Sequence, residues 1–495
     1  MKAFPWCLFL LPIFFTWHVY NAHFGIFDIG LVLGFTIIYI SLAVGFFLAA
    51  FLLLRNKIKA SVYTTLILAA FFFFGTFHDF VKAIGVPRFF VSYSFLLPFG
   101  LFLFIFIAYR LKKTPPPIRL NRFLTYLAAL LVFIEVGTTS YFIFSNEIKN
   151  IDPAGSNPSL SPQLKINDKS EMPDIFFMVF DEYASSKALK KYLGFDNSKL
   201  DSTLENAGFY IAINSQSNYN ATSLSIGSTF NFQYFNRDLE NTPNNPYSLL
   251  QGAYSLKHSL LPALLERTGY KIINHGLCDL KNYPVQVRPL FHEYAIKALY
   301  YETLWGRIKK DILWNLTVRL PGYKKTSPPD MSIISRNQKN FSRFLQELST
   351  PDDQPKFVYG HVFIPHRPAL VDRYGKPRMV STVEISDAEM DSLYLDQVTF
   401  VNTWIDSLVK SAINTKRHRP LVLILEGDHG NRYGEKSRAI REKQFMNLNT
   451  YYFSDREYSL LYDSISPINS FRVVLNKYFD AGLPMLKDST IRLTD

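Results

Sequence analysis

Three stretches of this chain end or carry an apolar run with residues that bind metals or move protons. In "FFMVFDEYAS" the run leads into Asp181 and Glu182. In "LVLILEGDHGNRYG" it leads into Asp428 and His429. In "FVYGHVFIPHRP" the run itself carries His361, and His366 follows in a loop fixed by Pro365 and Pro368. Buried strands of α/β folds present their active groups at their carboxyl ends. Singly, each stretch has a plain reading: Asp after a strand forms a turn or a helix cap, Asp-His-Gly makes a turn, and an isolated His is hydrogen-bonded core. Together they supply oxygen and imidazole ligands for a divalent cation. The set suits Zn²⁺ and tolerates Mn²⁺ or Mg²⁺, as one ion or two.

A hydrolytic or transfer site also needs a nucleophile. "SNYNATSLSIGSTFN", Ser217 to Asn231, follows an expected strand and opens an expected helix at Thr222. A hydroxyl at a helix N-terminus sees the positive end of the dipole and free N–H groups. Metal coordination there lowers its pKa toward a usable nucleophile. Thr222 reads equally as an N-cap, and Ser223 and Ser225 are rivals that spacing does not separate.

These residues need a scaffold. From Pro173 onward, short apolar runs alternate with amphipathic stretches, which predicts a mostly parallel sheet flanked by helices. Strands are expected at Asp174–Phe180, Gly208–Ile213, Tyr270–Asn274, Lys356–Ile364 and Leu421–Leu425. Helices are expected near Ile385–Ile413, whose apolar positions step by three and four, and near His258–Arg267. No internal repeat is present. Before Pro173, residues 146–172 are rich in Pro, Ser, Asn and Gly and read as an exposed linker.

The first third has a different composition. The chain has 495 residues, 45 of them Phe, and a net charge of +12. Residues 1–145 hold eleven Lys/Arg against three Asp/Glu, whereas the remainder holds 42 against 38. The basic balance therefore sits mainly in the apolar third, and no basic cluster stands on the soluble part, which argues against nucleic-acid binding. A membrane-crossing helix takes ~20 apolar residues. Five segments qualify: Phe4–Tyr20, Ile29–Leu54, Ala60–Phe80, Phe89–Ala108 and Phe123–Phe144. The first also reads as a signal peptide starting at Lys2.

The loops "RNKIK" and "RLKKTPPPIRLNR" concentrate Lys and Arg, so the positive-inside rule places them in the cytoplasm and the large soluble part outside. Glu135, mid-span, and His78-Asp79, near an outer end, are intramembrane functional candidates or inter-helix hydrogen bonders. Tyr300, Tyr301 and Trp305 suit lipid or glycan contact and core packing alike. Cys7 and Cys278 lie in different contexts, so no disulfide and no Cys-type metal spacing is expected.

Taken together, "PDIFFMVFDEY", "SNYNATSLSIGSTFN", "HVFIPHRPALVDRYG", "LILEGDHGNR" and "SPINSFRVVLNKYF" resemble the alkaline phosphatase/sulfatase superfamily. The likeness is to its membrane-anchored branch, which includes lipoteichoic acid synthases and lipid A phosphoethanolamine transferases. That resemblance implies a five-helix transmembrane domain (1–145), a linker (146–172) and an extracytoplasmic catalytic domain (173–495) in the cytoplasmic membrane. It implies Asp181, Asp428 and His429 as metal ligands, with Thr222 as the covalently loaded nucleophile beside the metal. His366, with His361 as rival, would face the phosphoryl oxygens or protonate the leaving group.

Two departures matter. The membrane transferases usually carry Glu at the first ligand, whereas here Asp181 precedes Glu182, so Glu182 is a further candidate ligand. The Cys/Ser-x-Pro-x-Arg signature of formylglycine sulfatases is absent. The implied activity is transfer of a head group from a phospholipid donor to a glycan or lipid acceptor. Its alternatives are a sulfatase-like or phosphodiesterase-type hydrolase, and a non-catalytic membrane protein that keeps the fold. No protein partner is legible.

Overall fold

The computed structural model describes the chain except residues 1–4, 25–26, 145–163, 166–171, 236–245, 286–291, 314–325, 382–384, 433–437 and 495. The expected linker lies almost wholly outside the described residues. The chain divides into two compact units, Met1–Ile151 with Glu293–Pro321, and Asp152–His292 with Gly322–Asp495.

The first unit is helical: α1 (Cys7–Ala22), α2 (Ile29–Leu54), α3 (Lys57–Phe72), α4 (Phe74–Ala83), α5 (Arg88–Val91), α6 (Tyr93–Lys113) and α7 (Ile118–Phe144). Among the described residues α2, α6 and α7 are long and apolar enough to cross a membrane, and α3 with α4 makes a fourth if the bent pair is one span. Three or four of the five expected spans are thus long and apolar enough among the described residues. The first expected span forms a helix of 16 residues, about 24 Å long, short of a hydrocarbon core of about 30 Å. The third is broken at Phe73 by a bend of 57°.

That break has a partner. Gly75 N donates to Glu302 O at 2.8 Å, satisfying an amide at the start of the second half-helix. A β-carbon at Gly75 would fall 2.5 Å from Glu302 Oε2 and 2.6 Å from Arg307 Nε, so a larger residue would displace those side chains. Residues 293–313 fall in the stretch expected to be catalytic, yet they pack on α2, α4 and α6. Tyr39 Oη donates to Leu299 O at 2.9 Å. Arg307 reaches Asp79 with both terminal nitrogens, at 3.1 and 2.6 Å. Tyr93 Oη donates to Asp311. Tyr300 and Tyr301 lie under Lys309 and Arg307, while Trp305 is half exposed. Within the helices, Glu135 is held by His18 Nδ1 (2.7 Å) and Asn21 Nδ2 (2.6 Å).

Among the described residues, the second unit is built on a six-stranded sheet. Its strands are β1 (Asp174–Phe180), β2 (Tyr210–Ile211), β3 (Lys271–His275), β5 (Lys356–Val362), β7 (Leu421–Glu426) and β8 (Asn449–Phe453). Their order is β2-β8-β7-β1-β5-β3, with β7, β1, β5 and β3 parallel and β8 and β2 antiparallel. A separate pair joins β4 (Thr326–Ser327) to β6 (Val380–Ser381). Every residue of β1, β5 and β7 is buried, because helices cover both faces, and this explains their unbroken apolar runs.

Four helices position the site: α8 (Thr222–Asn231), α9 (Met331–Ser349), α10 (Asp387–Asn414) and α11 (Pro467–Phe479). On one face Phe344 of α9 meets Phe176, and Phe341 stacks on Trp404 of α10 at 4.4 Å. On the other, Phe230 of α8 and Phe471 of α11 pack on Phe177. Helix α10 starts at a side-chain cap, with Ser386 Oγ accepting from Glu389 N. Val179 of β1 pairs with His361 on one side and Glu426 on the other, so three strand ends arrive at one level.

Candidate metal centre

The chain leaves β1 through Asp181 and Glu182, and Glu182 adopts a left-handed backbone, φ 65°. Such a conformation in a non-glycine residue persists only where its surroundings impose it. Here Asp428 imposes it. Its Oδ1 accepts from Glu182 N at 2.8 Å and from His429 N at 2.9 Å. Both flanking glycines are demanded by close backbone approach. A β-carbon at Gly427 would sit 2.2 Å from Tyr183 O, and one at Gly430 would sit 2.0 Å from Lys443 O. The Gly-Asp-His-Gly stretch is thus the piece that fits between the end of β1 and the loop before β8.

With Oδ1 occupied, Asp428 Oδ2 points toward His429 Nε2, 3.4 Å away. His429 Nδ1 contacts Gly430 O at 2.9 Å. A carbonyl only accepts, so Nδ1 carries the proton and Nε2 offers a lone pair, the tautomer a metal ligand needs. Asp181, Asp428 and His429 each bring a ligand atom within 4.8 Å of the others, and all three are buried. His361 adds Nε2 at 3.6 Å from Asp181 Oδ2, while its Nδ1 lies 2.8 Å from Tyr359 Oη.

These groups lack hydrogen-bond partners on their inner sides. Both oxygens of Asp181, Oδ2 of Asp428, Oε2 of Glu182, Nε2 of His361 and of His429, and both oxygens of Glu426 are buried without one. Buried polar atoms in folded proteins are nearly always paired, and unpaired carboxylates this close repel one another. Burial, then the Asp428 charge, pushes Asp181 and Glu426 well above the usual carboxylate range. Burial raises Glu182 to about 8 against the opposing pull of Arg432. Burial lowers His361 to about 4 and His429 well below its ordinary value. A divalent cation would satisfy acceptor-only oxygens and imidazole lone pairs together, so the donor set fits the expected metal.

Thr222 stands in the first turn of α8. Ser225 Oγ, one turn on, donates to Asp428 O at 2.5 Å, which pins this helix start to the end of β7. Of the rivals, Ser225 is engaged by that bond, whereas Ser223 Oγ is completely buried against Gly252 without a hydrogen-bond partner. Thr222 alone of the three keeps some exposure, 9%.

Arg432, which the sequence did not single out, ties the rest together. Its backbone N donates to Glu182 Oε1 at 2.6 Å, Nη1 to Asn220 O at 3.3 Å and Nη2 to His366 Nε2 at 2.7 Å. His366 Nδ1 donates to Arg367 O at 2.5 Å, which leaves Nε2 as the basic atom. Glu182 therefore faces Arg432 and His366, with Oε2 3.8 Å from His366 Nε2, and is not one of the three closest ligand donors. Arg432 also lines a 580 Å³ cavity with Arg367, Met379, Met390, Leu393 and Tyr394. Glu426 was the second residue missed. Its one signal was a carboxylate closing an otherwise apolar strand.

A family model described as Sulfatase matches residues 181–465. No curated protein matches the chain. Among solved structures, the chain is similar to the integral membrane lipooligosaccharide phosphoethanolamine transferase A (EptA) from Neisseria meningitidis. Identity is 13% and the TM-score 0.40, over 97% of this chain and 95% of that one. It is similar to the periplasmic domain of phosphoethanolamine transferase EptC from Campylobacter jejuni at 13% identity and TM-score 0.36, over 64% and 93%. It is also similar to BT1596, a 2-O GAG sulfatase, at 11% identity and TM-score 0.38, over 65% and 73%. The family match spans more than half of the chain and contains all the strand-end residues described above, so the protein belongs to the sulfatase family, as an enzyme of the alkaline phosphatase/sulfatase superfamily.

Proposed function

We propose that the chain moves a head group from a phospholipid to a glycan or lipid acceptor, through a covalent ester on Thr222, at the outer face of a bacterial cytoplasmic membrane. In this reading α1 also crosses, as the first of five spans. The observation that carries the proposal is the unpartnered cluster of Asp181, Asp428 and His429, with the start of α8 pinned against it by Ser225. Those three residues would hold a divalent cation, with Thr222 Oγ1 and Glu182 as further oxygen donors. When bound, it supplies Lewis acidity and neutralises phosphoryl charge.

The chain's own groups do the rest. Thr222 Oγ1 attacks phosphorus; the Oγ1–P bond forms as the bond from phosphorus to the diacylglycerol oxygen breaks, and that oxygen leaves with the hydroxyl proton. In the second displacement the acceptor oxygen bonds to phosphorus, the Oγ1–P bond breaks, and the acceptor's proton returns to Oγ1. His366 Nε2 would carry these protons once Arg432, now 2.7 Å from it, turns to the phosphoryl oxygens. The N–H groups of the first turn of α8 face the same developing charge. A cavity of 580 Å³ beside Arg432 favours an acceptor larger than water over simple hydrolysis.

Intact mass of the full-length protein, loaded with Zn²⁺ or Mn²⁺ and mixed with phosphatidylethanolamine or phosphatidylglycerol vesicles, tests this. A phosphoethanolamine or phosphoglycerol increment on wild type, absent from Thr222→Ala, is the expected result. Full turnover by Thr222→Ala would overturn the mechanism.

A further inference from the structure

The outer loop between the third and fourth apolar segments carries two cations, Lys82 and Arg88, in a chain whose first outer loop has none. In the fold they face a common space. The end of α4, the short α5 and the start of α6 enclose a 500 Å³ cavity lined by His78, Lys82, Arg88, Val91, Ser92 and Tyr93. Neither cation is ion-paired among the described residues. Two carboxylates lie nearby: Asp79 is taken by Arg307 at 2.6 Å, and Asp311 accepts from Tyr93 Oη.

His78 is the second feature. It is 1% exposed, between the rings of Phe74 (5.8 Å) and Tyr93 (4.9 Å). Its Nε2 lies 2.9 Å from Val91 O and must donate to that carbonyl. In the neutral ring Nδ1 is therefore an acceptor, and it is buried without a partner. The same helices expose Phe77, Phe80, Ile84, Phe89 and Phe90, a surface suited to lipid rather than water. The space thus combines cations, an unsatisfied acceptor and an acyl-compatible surround, at the water-facing end of two spanning segments.

We infer that this cavity binds the head group of a glycerophospholipid, its phosphate on Lys82 and Arg88 and an N–H or O–H donor of the head group toward His78. Ethanolamine and glycerol head groups carry such a donor; choline carries none. The inference rests on the membrane-spanning reading of these helices and not on the transfer reaction. It holds or falls whatever the catalytic unit does.

The test uses full-length, metal-stripped protein in phosphatidylcholine nanodiscs doped with phosphatidylethanolamine or with phosphatidylglycerol, and native mass spectrometry to count retained lipid. Stripping the metal removes the catalytic centre's contribution. Wild type is expected to retain one or both doped lipids in preference to phosphatidylcholine. The exposed pair Lys82→Gln and Arg88→Gln together should weaken retention about tenfold or more. His78→Phe keeps the ring stacking and should erase the preference over phosphatidylcholine. Equal retention by wild type and the double variant would overturn the site. Complete displacement of the lipid by inorganic phosphate would make it a free-anion site and overturn the lipid assignment.

Discussion

Glu135, in the middle of an apolar helix, and Glu426, at the end of an apolar strand, are both buried carboxylates, yet one is surrounded by donors and the other by none. Glu135 receives Asn21 Nδ2 at 2.6 Å and lies 2.7 Å from His18 Nδ1. Arg307, in the same unit, is likewise held between Asp79 and Glu302. Around Glu426, the inner atoms of Asp181, Asp428 and His429 share its lack of partners. Burying a charge is costly in either place, and a matched partner offsets that cost. A paired group is explained by the fold. An unpaired cluster is explained only by something the fold is built to receive.

The comparison breaks most sharply at Asp428. In Asp428→Asn the carbonyl oxygen still accepts from Glu182 N and His429 N, so the fold is expected to persist, while the inner oxygen is replaced by a donor. Metal content by elemental analysis should drop to background, and transfer activity should fall on the order of 10³-fold or more. A variant that retains metal and activity would show that the unpartnered cluster serves some other purpose. Glu426→Gln sharpens the point at a smaller scale. It removes a buried ionisable group next to Asp428, so the metal-free protein should become more stable in thermal melts. Metal affinity should weaken about 10- to 100-fold if Glu426 supports the ligands electrostatically. Unchanged affinity would confine Glu426 to packing.

On the other side of the comparison, Asp79→Asn leaves Arg307 with Glu302 as its remaining ion-pair partner among the described residues. Arg307 is buried but Asp79 is half exposed, so solvent screening limits the loss to about 1–2 kcal/mol. Detergent-solubilised protein should melt a few degrees lower, with metal content unchanged. Loss of metal in this variant would end the separation of structural from functional charge.

What the sequence made legible follows from where each signal is local. β1 and β7 were readable because both of their faces are covered, which leaves continuous apolar runs, and Asp181, Asp428 and His429 were readable because they stand just beyond the ends of those runs. Helix α2 was found with its bounds intact. β8 was missed because an antiparallel strand reading "NTYYF" mixes polar and aromatic residues and shows neither an apolar run nor clean alternation. The Gly208–Ile213 strand shrank to two residues, since Gly208 takes a positive φ of 80° and the chain is extended in pairing only at Tyr210 and Ile211. Arg432 was not readable at all, because its contacts, Glu182, Asn220 and His366, lie 66 to 250 residues away. The packing of residues 293–313 on the helical unit was hidden for the same reason: Arg307 and Asp79 are 228 positions apart.

The smallest effect distinguishes the two kinds of buried charge by their response to pH. Glu182 in the folded chain holds its proton up to about 8, whereas in the unfolded chain it loses it near 4.5. Between those values the folded state binds more protons, so raising pH favours unfolding; this contribution is complete below 4.5 and lost through 8. His361 acts in the opposite sense. Its folded value of about 4 lies below 6.5, so the unfolded chain binds the extra proton and stability is lost as pH falls from 6.5 toward 4. The two effects oppose each other between 4.5 and 6.5. Above 6.5 only the carboxylates remain, so the melting temperature of the metal-free protein should decline from pH 6.5 to 8. Bound metal should flatten that decline, because ligands held deprotonated by a cation no longer compete for protons. Glu182→Gln should flatten it without metal. A melting temperature that rises over this interval in the metal-free protein would mean that the carboxylates already have cationic partners of their own.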